Sequence, residues 1–90
     1  MVRITSQPTM PPCAHTPRPH RGLSRGEVLA LRREHVNFAM FTYHREPLMI
    51  VEGHMQWLFD ETGRRHLDLF GGIVTVSIGH CHPRLVRAGE

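Results

Sequence analysis

Residues 53–68 run Gly53-His54-Met55-Gln56-Trp57-Leu58-Phe59-Asp60-Glu61-Thr62-Gly63-Arg64-Arg65-His66-Leu67-Asp68. Met55, Trp57 and Phe59 alternate with His54, Gln56 and Leu58, which is the spacing of a strand with one apolar face. Asp60-Glu61-Thr62-Gly63 is turn chemistry, with Gly63 free to take a positive φ. Arg64 to Phe70 then reads as a returning strand, Leu67 and Leu69 on one face and Asp68 and Phe70 on the other. The two runs predict an antiparallel hairpin. Trp57, Met55 and Phe59 are its expected core.

The hairpin is flanked by weaker signals. Upstream, Pro47 marks a boundary and Leu48-Met49-Ile50-Val51 reads as a short apolar strand, with Gly53 expected to interrupt or bulge it. Further back, Ser24 and Glu27 have the spacing of a capping box, and Leu23 and Val28 that of a hydrophobic staple. Val28, Leu31, His35 and Phe38 recur at helical spacing, predicting a helix over about 25–38 that ends near Phe41. Downstream, Ile73-Val74-Thr75-Val76-Ser77-Ile78 is alternating and β-branched. It reads as a third strand or as an extended segment laid across a core. Gly79 breaks it, and Pro83 suits the first turn of a closing helix.

Residues 1–22 hold five of the seven prolines and little that packs, so they read as an extended, flexible arm. The expected organisation is therefore an arm over 1–22, a packed unit over 23–82, and the start of a further helix over 83–90. That last helix has scarcely two turns before the sequence stops, and so short a helix needs packing. The expectation is the front end of a larger protein.

Composition narrows the function. The 90 residues carry a formal net charge of +3, and all eleven basic residues are arginine. Only Arg32-Arg33 and Arg64-Arg65 are adjacent, so there is no basic stripe, and no nucleic-acid-binding motif accompanies them. A nucleic-acid partner is not expected. No apolar run approaches the ~20 residues that span a bilayer, so neither is a membrane. Cys13 and Cys81 are far apart and imply no disulfide framework. Residues 1–26 contain arginines and no acid, as a mitochondrial leader would, although the prolines oppose the helix such leaders form.

The chemistry-bearing residues say little one at a time. His80-Cys81-His82 offers metal-binding atoms, but a strand would put Cys81 opposite the histidines and no second ligand pair follows, so a strand-to-helix turn is the better reading. Gly71-Gly72 permits close backbone approach but lacks a phosphate-loop pattern. Asp68 has no second carboxylate at a fixed spacing; a pairing with arginine or a backbone cap explains it better than catalysis.

Their order is more specific. Pro47, Gly53 to Asp60, Gly63, Arg65-His66-Leu67-Asp68, Gly72-Ile73-Val74 and Gly79-His80-Cys81-His82-Pro83 follow one another with the gaps of one family. The run from Pro47 to Arg84 resembles the N-terminal region of class III, fold type I, pyridoxal-phosphate-dependent aminotransferases.

The resemblance implies an α+β fragment: a helix and a small antiparallel sheet of the terminal domain, with the large α/β domain missing and beginning after Pro83. It implies a homodimeric or homotetrameric parent whose cofactor is pyridoxal 5'-phosphate. Its substrates would be an amino acid such as alanine and a 2-oxo acid such as glyoxylate, and its compartment the mitochondrion, otherwise the cytoplasm. It places Gly72, Ile73 and Val74 beside the substrate pocket, with Gly71 where a small hydroxyl residue is often found. No catalytic residue, cofactor ligand or metal ligand carries over. The family's Schiff-base lysine has no counterpart, since the sequence has no lysine. The chain alone is expected to be inactive. The alternative is a truncated, non-catalytic isoform that serves as an interaction stub for full-length subunits.

Overall fold

A computed structural model describes Thr9 and residues 12–90. Most of residues 1–11, half of the expected arm and the beginning of the leader-like stretch, lie outside the described residues. Six short elements follow in chain order: α1 (Arg25–His35), β1 (Ile50–His54), β2 (Trp57–Asp60), β3 (Arg65–Leu67), α2 (Gly71–Val74) and α3 (Pro83–Gly89).

The start of α1 is set by its cap. The Ser24 hydroxyl accepts from the Glu27 amide at 3.3 Å, and the Glu27 carboxylate accepts from the Ser24 amide at 2.8 Å. Two amide donors that have no partner inside the helix are thereby satisfied. The Ser24 hydroxyl, which also donates to the Glu27 carboxylate at 2.7 Å, and then the Ser24 amide hold that carboxyl below its usual range. The helix ends earlier than its spacing suggests: Val36 is extended and returns its N–H to the Arg32 carbonyl. The apolar repeat therefore overruns the helix by several residues. One further contact, Arg25 Nε donating to Glu61 at 2.7 Å, ties its first turn to the end of the hairpin.

The sheet has the order β1-β2-β3 and is antiparallel throughout. The β2–β3 hairpin forms as the alternation predicts, with Trp57 opposite Leu67, Leu58 opposite His66 and Phe59 opposite Arg65. Trp57 and Phe59 are the buried apolar residues, Phe59 only 2% exposed. The Arg65 guanidinium covers the open face of Trp57, 4.5 Å from the ring centroid.

Four sequence expectations need correction. The first strand begins at Ile50 and continues through Gly53 to His54. The irregularity sits between Ile50 and Glu52, and Gly53 pairs normally with Leu58. Strand β3 stops at Leu67, because Asp68 turns its side chain back onto the following amides. β1 and β2 join through a tight turn at Met55-Gln56, with Met55 at φ 52°. Lastly, 73–78 is no strand. It begins inside the single turn α2, in which Gly71, Gly72 and Ile73 all have positive φ.

Residues 12–22 form no helix or strand, yet they lie on the sheet. The His15 ring stacks on His54 at 4.2 Å and tilts against Phe59 at 5.5 Å. His15 Nε2 and the Arg18 amide both bond the Glu52 carboxylate and lower its pKa, His15 being the larger cause. No described helix is long and apolar enough to cross a membrane.

Candidate functional site

Three histidine–carboxylate pairs hold the sheet and its exit. Two of them lie on the sheet, His15 from the preceding segment with Glu52 of β1 and His66 of β3 with Asp60 of β2. The third, His80 with Asp68, is 2.7 Å long and bridges the residue that ends β3 to the segment that leads into α3. An ionised carboxylate only accepts, so His80 Nε2 carries the proton.

Asp68 is engaged on both oxygens. Oδ1 accepts from the Gly71 amide at 2.8 Å and the Phe70 amide at 2.9 Å, while Oδ2 meets His80. These bonds, the Gly71 amide foremost, hold its pKa down to about 2 from 3.8. Asp60 is the buried acid of the sheet. Its Oδ1 accepts from the Thr62 hydroxyl at 2.6 Å and from the Thr62 and Arg64 amides at 3.0 Å each, and Oδ2 faces His66 at 3.0 Å. The Thr62 hydroxyl, then His66, keep it well below the ordinary carboxylate range. Both acids are backbone caps with a histidine attached. Both oxygens of each acid carry hydrogen bonds, and for Asp68 the backbone cap is one of the two structural readings of the sequence, with histidine where the other named an arginine.

The segment His80-Cys81-His82 does not converge. His80 turns to Asp68, Cys81 is exposed at φ 53°, and His82 Nδ1 accepts from the Arg84 amide to cap α3. Among the described residues no three His, Cys, Asp or Glu side chains gather as a metal would need.

Gly72 and Ile73 sit on the α2 turn directly downstream of Asp68. Ile73 is 72% exposed and faces outward. The side chain of Val74 lies outside the described part of the structure. On the other side of the turn, Thr75 Oγ1 donates to the Gly72 carbonyl at 2.8 Å, and a Cβ on Gly72 would come within 2.7 Å of that hydroxyl. A φ of 60° favours glycine at 72, and a Cβ there would force the Thr75 hydroxyl to move.

No family model matches the chain. Relatives and solved structures do. It is 46% identical over 84 residues to the human mitochondrial alanine–glyoxylate aminotransferase 2, covering 93% of this chain. It is 51% identical over 81 residues to the Arabidopsis thaliana alanine–glyoxylate aminotransferase 2 homolog 2, also named mitochondrial. The fold agrees: ornithine aminotransferase from Toxoplasma gondii superposes with a TM-score of 0.61 at 26% identity, over 76% of this chain and 15% of that one.

The chain belongs to the class III pyridoxal-phosphate-dependent aminotransferases. It spans 16% of the length of the human relative. The helix and three-stranded antiparallel sheet are thus a small α+β part of an aminotransferase fold, as the resemblance implies.

The cofactor of that family does not fit the residues of this chain by themselves. A Schiff base needs an amine side chain, and there is no lysine among the ninety residues. A pyridine-nitrogen partner needs a free carboxylate, and both oxygens of Asp60 and of Asp68 already accept hydrogen bonds within the chain. No step through the cofactor is derived from these side chains.

What sequence reasoning missed is the architecture of the exit. Neither the pairing of Asp68 with His80, twelve residues apart, nor the left-handed turn between them follows from periodicity. The doubled glycine at 71–72 and Gly79 were the available signals, since each permits a backbone that other residues resist.

Proposed function

We propose that this chain is the non-catalytic, substrate-facing part of an aminotransferase that moves an amino group from an amino acid such as alanine to a 2-oxo acid such as glyoxylate. In this reading Gly72, Ile73 and Val74 form a stretch of pocket wall, and the lysine that binds pyridoxal 5'-phosphate belongs to a large α/β domain outside these ninety residues. The chain alone is inactive. Its working context is a homodimeric or homotetrameric enzyme in the mitochondrion, the compartment in the names of its alanine–glyoxylate relatives.

One observation supports this reading most. The left-handed turn that carries Gly72 and Ile73 displays an exposed apolar side chain on a tightly hydrogen-bonded backbone. A β-branched residue in that conformation costs roughly 1–2 kcal/mol, and such strain persists where surrounding bonds over-determine it, commonly at binding sites.

A chimera tests the proposal. The matching 84 residues of the human relative are replaced by this chain and pyruvate formation from alanine and glyoxylate is measured. Retained transamination is expected, with none from the 90-residue chain mixed with the cofactor. A chimera that binds cofactor normally but transfers no amino group would refute the reading.

A second reading, an interaction stub for full-length subunits, is favoured by the exposed aromatic residues after α1: Phe38 is 98% and Tyr43 91% exposed. It predicts co-purification of the chain with a full-length class III subunit, and a chain that elutes alone excludes it.

A further inference from the structure

The geometry points to Asp68 and His80 as positioning residues that pin Gly71 to the β1–β2 hairpin and so hold Ile73 outward toward substrate. This rests on the reading of Gly72-Ile73-Val74 as pocket wall.

The chain of contacts is continuous. At the hairpin end, Met55 and His80 exchange both backbone hydrogen bonds, Met55 N–H to the His80 carbonyl at 2.7 Å and His80 N–H to the Met55 carbonyl at 2.8 Å. The His80 ring then lies over Gly53, where a Cβ would meet the ring at 3.0 Å. Gly53 is thus bare because the ring occupies the space above it. His80 Nε2 reaches Asp68, and Asp68 takes the amides of Phe70 and Gly71.

Gly71 is held from both sides. Its N–H goes to Asp68, and its carbonyl accepts from the amides of Thr75 at 2.9 Å and Val76 at 3.1 Å. The Thr75 hydroxyl adds a bond to the same carbonyl at 3.2 Å. With both backbone polar groups of Gly71 committed, the φ values of 60°, 60° and 59° at Gly71, Gly72 and Ile73 lie between hydrogen-bonded ends.

A left-handed β-branched residue such as Ile73 is strained. Hydrogen bonds to a charged group are the stronger kind, and Asp68 makes two to this turn. Without the carboxylate the turn keeps only its carbonyl-side bonds to Thr75 and Val76 to set against that strain.

Amide hydrogen exchange on the full chain tests this. In Asp68→Ala, exchange at Phe70 and Gly71 is expected to rise roughly tenfold or more relative to the Phe59 amide of β2. Asp68→Asn keeps a carbonyl for the two amides and, with His80 protonated on Nδ1 instead, an amide donor for its Nε2, and should restore exchange to within about threefold of the native chain. His80→Ala should raise Phe70 and Gly71 exchange selectively but less, since the backbone caps remain. If Asp68→Ala loses protection everywhere, His80→Ala decides, and an unchanged Gly71 amide there overturns the proposal. So does equal exchange at Gly71 in the native chain and in Asp68→Ala. The readout involves no substrate, so its failure leaves the pocket-wall reading intact. Conversely, a chimera without activity leaves the clamp standing.

Discussion

Asp60 Oδ2 and His66 Nε2 stand 3.0 Å apart, joining the last residue of β2 to the centre of β3 across the hairpin. The other oxygen of Asp60 closes the turn itself, through Thr62 and Arg64. One carboxylate therefore fixes both the turn and the strand register, and it does so beside buried Trp57 and Phe59.

Replacing Asp60 by alanine should be the most damaging single change in the sheet. It orphans two turn amides and one histidine, at about 2–4 kcal/mol. Asp60→Asn keeps an acceptor for the amides and should cost about 1 kcal/mol. Urea midpoints followed by the fluorescence of Trp57, the single tryptophan, measure both.

Acid should weaken the fold in a defined window. Asp68 titrates at about 2 when folded against 3.8 as the reference, and Asp60 and Glu52 shift in the same direction. A depressed folded pKa contributes stability that is complete above the unfolded value and is lost as pH falls through the folded one. The Asp68 contribution should be present at pH 4 and decay toward pH 2. In Asp68→Asn that part of the pH dependence should vanish; an unaltered acid profile would contradict the hydrogen-bond assignment.

Gly53 and Gly79 should differ in how they tolerate alanine. At Gly53 the backbone is ordinary and the obstacle is the His80 ring at 3.0 Å, so the cost is about 1–3 kcal/mol and depends on that ring. Combining Gly53→Ala with His80→Ala should be less damaging than the sum, because the clash is gone. At Gly79 the obstacle is the Met55 backbone, also at 3.0 Å, and φ is 107°. No second substitution should rescue it.

The cap of α1 is separable from the sheet. The bonds of the cap all lie within residues 24–27, and α1 is tied to the hairpin by the separate Arg25–Glu61 ion pair. Ser24→Ala should cost about 1 kcal/mol of helix stability and reduce far-ultraviolet helicity, with Trp57 fluorescence unchanged.

Much of this was legible in sequence where the determinants are local. Ser24 and Glu27 specify their cap within four residues, and the alternation through Trp57 and Phe59 specifies a strand and its buried face. Pro83 marks the start of α3 for the same reason. The miss at 73–78 has a physical cause. Ile73 and Val76 look like strand residues, but Asp68, Thr75 and two glycines provide a local alternative that bends the chain before it can pair. The end of α1 is similar: His35 and Phe38 keep the helical period, yet Val36 is already extended. The candidate site was legible only as an ordered set of short motifs, because its geometry depends on contacts between hairpin, turn and exit that no spacing encodes.

In the proposed function Ile73, held on the Asp68–His80 clamp, forms part of a substrate pocket. The most direct test of that claim is steady-state kinetics of the chimeric aminotransferase with Ile73→Asp, compared with the unsubstituted chimera. The prediction is a KM for the 2-oxo acid raised roughly tenfold or more with cofactor content unchanged. An unchanged KM and kcat in that variant would contradict the claim.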